Sequence, residues 1–205
     1  MIVIVDYGVG NVGSVQNMLR RVGRTDVVVS GDPVVVAQAD KLILPGVGAF
    51  DRGMAQIDAA PQLREALDEV ALRKKRPVLG VCLGMQLLGR ESEEGTRAGL
   101  GWIDARCMGF RSVLAADLRV PHMGWNRVFP VRAHPLVDRL PEEPRFYFVH
   151  SYFMKCGDPR DVLLECSYGV RFTCGVQRGN IMGVQFHPEK SHKFGVALLS
   201  NFADL

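Results

Sequence analysis

A cysteine flanked by two glycines stands where a buried strand is expected to pass into a helix. Gly80, Cys82 and Gly84 form the pattern G-x-C-x-G at the end of the apolar run 77–81. This is the thiol version of the nucleophile elbow, in which a sharp turn exposes the nucleophile at the carboxyl end of a sheet. The helix N-terminus would favour the thiolate, and the N–H of Leu83 would point at the oxygen of an attacked carbonyl. A buried structural cysteine before a helix is the plainer interpretation.

A thiol nucleophile needs a base, and the base needs a group that orients it. His187 and Glu189 follow the apolar run 181–184, so they are expected just past the end of a strand. The carboxylate of Glu189 could accept a hydrogen bond from the imidazole of His187 and fix its tautomer. The segment could instead be a surface turn. Two other histidines beside predicted strands, His122 and His150, are harder to dismiss than the remaining two.

Strands that alternate with helical patterns predict an α/β fold with a mostly parallel sheet in the first half of the chain. We expect strands at 2–5, 26–29, 41–44 and 77–81, and helices at 11–23, 51–75 (broken at Pro61) and 83–90. The second half carries strand-like runs at 119–121, 145–149, 162–166, 172–177 and 181–184, followed by a last helix that opens at Ser191. Short strands with few helices between them indicate an antiparallel or mixed extension of the sheet.

The composition excludes several classes of protein. The chain has 205 residues, of which 47% are hydrophobic and 23% charged, as in a globular protein of one domain over residues 1–205. Because no apolar run reaches the roughly 18 residues of a membrane span and no signal sequence opens the chain, we expect a cytoplasmic protein. The net charge of +3 is too small to imply nucleic acid. Five scattered cysteines without a C-x-x-C pair argue against a disulfide framework and a metal site, and no cofactor is expected.

A glycine pattern near the start offers an alternative function. Residues 8–13 match G-x-G-x-x-G after a strand, and Asp32 lies about 20 residues further on, as in NAD-binding oxidoreductases. Two residues separate the strand from the first glycine, however, and one of them, Asp6, would put a carboxylate near the pyrophosphate. A glycine-rich turn with Asn11 as the helix cap is the simpler interpretation.

Two motifs together resemble those of the class I, or triad, glutamine amidotransferases. They are G-V-C-L-G-M-Q over residues 80–86 and Q-F-H-P-E over residues 185–189. Further segments resemble the HisH branch of that family, the glutaminase subunits of imidazole glycerol phosphate synthase: 6–11, 44–50, 121–126, 146–152 and 186–191. Since these segments span the whole chain, the resemblance implies a single class I amidotransferase domain with a nucleophile elbow.

The resemblance also implies roles for individual residues. Cys82 would attack the side-chain amide of glutamine and form a glutamyl thioester, His187 would relay protons, and Glu189 would hold His187. Glu94 would meet the α-ammonium of the substrate, and Gln86 would take a glutamine-binding position. Gln86 could instead be a solvated helix residue, and Ser151 a strand-end hydroxyl. The substrate-binding and oxyanion residues implied in this way are Val47, Gly48, Leu83, Gln86, Glu94, Ser151 and Tyr152.

Nothing in the sequence resembles a site for an ammonia acceptor, so the resemblance also implies a partner. In the family, ammonia passes to a HisF-type cyclase subunit, a TIM barrel that makes imidazole glycerol phosphate and AICAR in histidine biosynthesis. Trp125 suits such an interface but could equally be a core residue. Departures near Val9 and Ser14 leave open a paralogous branch that supplies ammonia for amidination of a bacterial surface sugar. The residues expected to face the partner are Val9, Asn11, Ser14, Trp125, Asn126, Tyr147 and Lys190.

Overall fold

The computed structural model describes residues 1–115 and 118–205. Its strands are β1 (Ile2–Val5), β2 (Val27–Ser30), β3 (Lys41–Gly46), β4 (Val78–Cys82), β5 (Glu91–Ser92), β6 (Ala105–Gly109), β7 (His122–Pro130), β8 (Arg145–His150), β9 (Tyr152–Cys156), β10 (Val162–Tyr168), β11 (Val170–Arg178) and β12 (Ile181–Val184). Its α-helices are α1 (Val12–Arg21), α2 (Pro33–Ala37), α3 (Phe50–Asp58), α4 (Pro61–Asp68), α5 (Leu83–Leu87) and α6 (His192–Asp204). A π-helical turn, Glu69–Arg73, extends α4.

The strands form one mixed sheet with two different halves. Strands β2, β1, β3, β4 and β12 follow one another in that order and all pair in parallel. Strand β12 also pairs antiparallel with β11, and the sheet continues antiparallel through β10, β7 and β8. Strand β9 branches off β11 and pairs with β6. The predicted α/β fold with a mixed sheet is therefore confirmed.

Helices cover both faces of the parallel half, because its strands are buried on both sides. In β1, Ile2 and Ile4 pack into the core that α1 and α6 close, whereas Val3 and Val5 pack into the core beneath α3, α4 and α5. This alternation is the two-residue period of a strand. None of the helices in the described residues is long and apolar enough to cross a membrane.

The structure corrects one local prediction, adds elements that were not predicted, and confirms one predicted helical region. Residues 119–121 do not form a strand; β7 begins at His122, directly after Pro121, which has no N–H to offer a ladder. Strands β6 and β9 and helix α2 were not predicted, because short elements carry little periodic signal. The helical region predicted at 51–75 begins at Phe50 and breaks at Pro61 as expected.

The glycine-rich turn after β1 is a helix entry. The side chain of Asn11 accepts a hydrogen bond from the N–H of Ser14 (3.4 Å), so it caps α1 as expected. Asp32, the acidic residue that the dinucleotide pattern requires, caps α2 instead by accepting from the N–H of Val34 (2.8 Å). Asp6 accepts from the N–H of Gly8 (3.2 Å) inside the turn. Both carboxylates thus have structural roles, and the dinucleotide alternative loses its support.

Candidate active site

The turn from β4 into α5 is strained at Cys82, which has φ 55° and ψ −111°. Residues other than glycine rarely adopt a positive φ, and such backbone strain is common at functional sites. Gly80 and Gly84, which flank Cys82, are required because a Cβ atom at either position would clash with the backbone. A Cβ atom on Gly84 would lie 1.7 Å from the carbonyl oxygen of Leu44, and one on Gly80 would lie 2.7 Å from that of Gly84. The G-x-C-x-G spacing is therefore what lets α5 pack against β3 and β4 while Cys82 stands at the turn.

Parallel pairing brings three strand ends to one edge of the sheet. Gly46 at the end of β3 lies opposite Cys82, and Val184 at the end of β12 lies opposite Val81. The chain that leaves β12 therefore passes next to the nucleophile. Its first residue, Gln185, is fully buried, with Nε2 3.9 Å from the Cys82 sulfur.

The segment that carries His187 is held by three hydrogen bonds, two of which join it to Tyr147 of strand β8. The N–H of His187 donates to the carbonyl of Tyr147 (2.9 Å). The Ser191 hydroxyl donates to the carbonyl of His187 (2.6 Å) and accepts from the N–H of Tyr147 (3.0 Å). Ser191 is fully buried, so this clamp is shielded from water. Sequence reasoning assigned Ser191 only the start of α6.

His187 and Glu189 form a buried pair, with Nδ1 2.8 Å from Oε1 and side chains only 4% and 2% exposed. Because the carboxylate engages Nδ1, the other ring nitrogen, Nε2, is left for the nucleophile. This Nε2 atom is buried, and it has no hydrogen-bond partner among the residues that the structure describes. Burial lowers the pKa of His187, but interactions with Cys82 and Glu189 outweigh burial and raise it to about 10. His187 is therefore placed to carry a proton beside Cys82.

A cavity of about 360 Å³ opens in front of this group. Cys82 and His187 line it, together with every residue expected in the substrate pocket: Val47, Gly48, Leu83, Gln86, Glu94, Ser151 and Tyr152. Sequence reasoning did not place four further residues in the pocket: Pro121, Val149, His150 and Lys190. The sequence could have indicated these four residues, because each lies within a segment that resembles the HisH branch.

Gln86 is not a solvated helix residue, because it is buried at 5% exposure. Its Nε2 donates to the side-chain oxygen of Gln185 (3.0 Å) and to the carbonyl of Tyr152 (3.2 Å). Both amide hydrogens are thereby used within the protein. The side-chain oxygen is the atom of Gln86 that remains for a ligand in the pocket.

Glu94 is fixed at the start of α3. Its Oε2 accepts from the N–H of Phe50 (2.8 Å), a favourable place for a carboxylate at a helix N-terminus. The loop that carries Glu94 is held by Asp51, which accepts from the N–H groups of Thr96 and Arg97 (both 3.0 Å). Helix α3 directly follows the expected oxyanion residues Val47 and Gly48. The hydrogen bond from Phe50 to Glu94 therefore links the expected ammonium-binding carboxylate to that segment.

The expected partner-facing residues divide into exposed and buried ones. Trp125 is 47% exposed, so the core interpretation of this residue is wrong. Its ring stacks on His192, with centroids 5.4 Å apart and planes 1° from parallel. The Lys190 ammonium lies 5.7 Å from the ring centre of Tyr147. Val9 is only 7% exposed and packs in the core beneath α3, so its side chain offers almost no surface.

The other expected interface residues keep some exposure. Asn11 is exposed, and Ser14 and Asn126 are half-buried. Lys190 lines the mouth of the catalytic cavity as well as the surface beside Tyr147. The exposed face and the cavity are therefore adjacent.

The remaining cysteines lie outside this site. Burial raises the thiol pKa of Cys107, Cys156, Cys166 and Cys174, so these residues stay protonated at neutral pH. Cys107, Cys166 and Cys174 are fully buried. We therefore assign them packing roles, in contrast to Cys82 at the elbow.

The family model for glutamine amidotransferase class-I matches residues 3–204. A crystal structure of a glutamine amidotransferase superposes with a TM-score of 0.76 at 17% identity, covering 100% of this chain and 98% of that one. The structure of PurLQS from Thermotoga maritima superposes with a TM-score of 0.73 at 18% identity, covering 99% and 97%. These likenesses concern the fold, and they confirm the fold that the motifs predict.

Relatives of similar length carry a more specific name, imidazole glycerol phosphate synthase subunit HisH or HisH 2. The HisH 2 protein of Pseudomonas aeruginosa is 53% identical over 205 residues, with 100% of both chains covered. The HisH 2 protein of Methanococcus maripaludis is 48% identical, with 98% of both chains covered. The HisH protein of Bdellovibrio bacteriovorus is 46% identical, with 100% of both covered.

Proposed function

Because the chain belongs to the class I glutamine amidotransferases, we propose that it is the glutaminase subunit of an imidazole glycerol phosphate synthase. It would hydrolyse L-glutamine at Cys82 and pass the ammonia to a HisF-type cyclase subunit in histidine biosynthesis. The names of the full-length relatives support this pathway and do not favour the surface-sugar alternative. The convergence of Cys82, His187 and Glu189 at one edge of the sheet carries the chemical part of the proposal.

The first half of the reaction forms a thioester. The Cys82 thiolate attacks the carboxamide carbon of glutamine, and negative charge develops on the amide oxygen. The N–H of Leu83, in the first turn of α5, and a backbone N–H of Val47 or Gly48 stabilise that charge. The protonated Nε2 of His187 gives its proton to the departing nitrogen. Ammonia leaves, and a glutamyl thioester remains on Cys82.

The second half hydrolyses the thioester. Neutral His187 takes a proton from a water molecule as that water attacks the thioester carbon. The carbon–sulfur bond breaks, glutamate departs, and the pair returns to imidazolium and thiolate. Glu189 keeps Nδ1 protonated throughout, so Nε2 always faces the reacting atoms.

The substrate is held by complementary charges and hydrogen bonds at the other end of the cavity. One oxygen of Glu94 caps α3, and the carboxylate is free to pair with the α-ammonium of glutamine through the other. The oxygen of Gln86 can accept from a substrate N–H, because its amide hydrogens are already used. Ser151 and Tyr152 form part of the wall of the same cavity. A glutamine without its ammonium should therefore bind poorly.

The test of this function compares two cysteines. Cys82→Ala should abolish glutamate release from glutamine, because no other thiol stands at the elbow, whereas Cys166→Ala should keep it. The measurement is glutamate formation in the presence of a HisF-type subunit and its nucleotide substrate. The diazoketone analogue of glutamine should label Cys82 alone, as read by peptide mass. Glutamate release by Cys82→Ala at the parental rate would remove the proposed function.

A further inference from the structure

Two buried histidines have no part in the mechanism above. His122 and His150 lie directly opposite each other on β7 and β8 and are 2% and 6% exposed. Their rings meet edge to face, with Nδ1 of His122 2.9 Å from Nε2 of His150. Burial lowers their pKa values to about 4 and about 3, so both rings are neutral near pH 7. Aromatic side chains surround them: Phe110, Phe148, Tyr168 and Phe172.

The partners at the two ends determine the direction of this contact. At the outer end, the amide nitrogen of Asn126, which can only donate, lies 3.3 Å from Nε2 of His122. At the inner end, Nδ1 of His150 lies 2.8 Å from the carbonyl oxygen of Tyr152, which can only accept. Both ends require the same arrangement. Each ring carries its hydrogen on Nδ1, and Asn126 donates to His122, His122 to His150, and His150 to Tyr152.

The chain of hydrogen bonds continues to the nucleophile. The carbonyl oxygen of Tyr152 also accepts from Nε2 of Gln86 (3.2 Å). Gln86 donates its second amide hydrogen to Gln185 (3.0 Å), whose own Nε2 lies 3.9 Å from the sulfur of Cys82. Polar contacts therefore run without a break from β7 to the reacting thiol. The carbonyl of Tyr152 is the point where the histidine pair joins the substrate pocket.

From this geometry we propose that His122 and His150 are positioning residues for glutamine, which act by holding the carbonyl of Tyr152 and, through it, the amide of Gln86. The inference rests on the proposed function, because it assigns a role in that same pocket. If the histidine pair were broken, Gln86 could rotate and offer an N–H in place of its oxygen. The substrate would then be misplaced, while the thiol, paired with His187, would keep its reactivity.

The test removes the hydrogen bond but keeps the ring. His122 is chosen because, unlike His150, it does not line the cavity. His122→Phe preserves an aromatic ring where His122 stacks on Tyr168 (centroids 4.2 Å apart) but cannot donate to His150. His122→Asn restores a donor at the position of Nδ1. The matched control is His134→Phe, which replaces a half-buried histidine outside the chain of contacts.

Two reagents separate positioning from thiol reactivity. We expect His122→Phe to slow labelling of Cys82 by the diazoketone analogue of glutamine about tenfold, as for one lost buried hydrogen bond. Labelling by iodoacetamide, which reports the thiolate, should change less than about twofold. His122→Asn should recover most of the lost rate, and His134→Phe should resemble the parent. The imidazole nitrogen chemical shifts of the parent should show both rings protonated at Nδ1.

The possible failures are distinguishable. If the parent protein is not labelled at Cys82 by the glutamine analogue, the proposed function fails first. If the parent is labelled and His122→Phe reacts as fast as the parent with each of the two reagents, the positioning role is wrong. Equal slowing with both reagents would indicate a merely structural defect and would also overturn it.

Discussion

The two halves of the sheet contribute different things to the same site. The ends of the parallel strands β3, β4 and β12 lead to the groups that form and break bonds. The antiparallel strands β7 and β8 lead to the pocket wall, the histidine pair and an exposed face around Trp125. Reactive groups thus sit where strands end, and supporting groups sit where strands lie opposite each other. The comparison predicts that changes in the parallel half stop the chemistry, whereas changes in the antiparallel half tune it.

Gly84→Ala should have the largest effect. Its Cβ would lie 1.7 Å from the carbonyl of Leu44, and no flexible side chain is there to yield. We expect a loss of about 4 kcal/mol or more in the free energy of unfolding, measured by chemical denaturation. Gly13→Ala is the control, since nothing lies within 4 Å of its Cβ position. A folded, active Gly84→Ala protein would break the account of the parallel half.

Glu189→Gln should leave the protein folded but nearly inactive. The amide can donate to Nδ1 of His187 and so favour the wrong tautomer, and it no longer stabilises the imidazolium. We expect kcat to fall about 10³-fold or more, with melting temperature changed little. Steady-state glutamate release gives the rate. A loss below about tenfold would show that the carboxylate matters less than its 2.8 Å contact with His187 suggests.

Trp125→Ala should weaken the partner without harming the isolated subunit. A half-exposed tryptophan that stacks on His192 is typical of an interface hot spot. We expect the affinity for a HisF-type subunit to fall about 30-fold, or about 2 kcal/mol, by titration calorimetry. Phe129, exposed further along β7, supplies the control Phe129→Ala. An unchanged affinity in Trp125→Ala would place the interface elsewhere, and equal losses in both variants would spread it along the strand.

Stability should fall in mild acid because of the histidine pair. Their pKa values are lowered in the folded state, so the unfolded chain binds more protons below its own pKa of about 6.5. The free energy of unfolding should therefore drop from about pH 6.5 to pH 5.5, by about 1 kcal/mol for each histidine. His122→Phe should show a drop smaller by about 1 kcal/mol. His187, whose pKa is raised, contributes with opposite sign but equally in both proteins. An unchanged slope would mean that His122 titrates normally.

The parts of the site that could be predicted are those that depend only on residues close together in the sequence. The elbow at Cys82 follows from its two glycines, because steric contact at a tight turn is decided within five residues. The pairing of His187 with Glu189 follows from their spacing of two. The interrupted helix at Pro61 follows from the missing N–H. Strands β6 and β9, by contrast, depend on neighbours from distant parts of the chain, and residues 119–121 resembled a strand without becoming one.

Sequence by itself determined which residues could do chemistry, because nucleophile, base and orienting carboxylate are recognised by type and short spacing. Only the tertiary structure decided that β12 lies beside β4 and brings His187 to Cys82. It also decided that Val9 is buried, that Trp125 is exposed, and that His122 faces His150 across two strands. Burial and register are properties of contacts between distant segments, and folding alone creates those contacts.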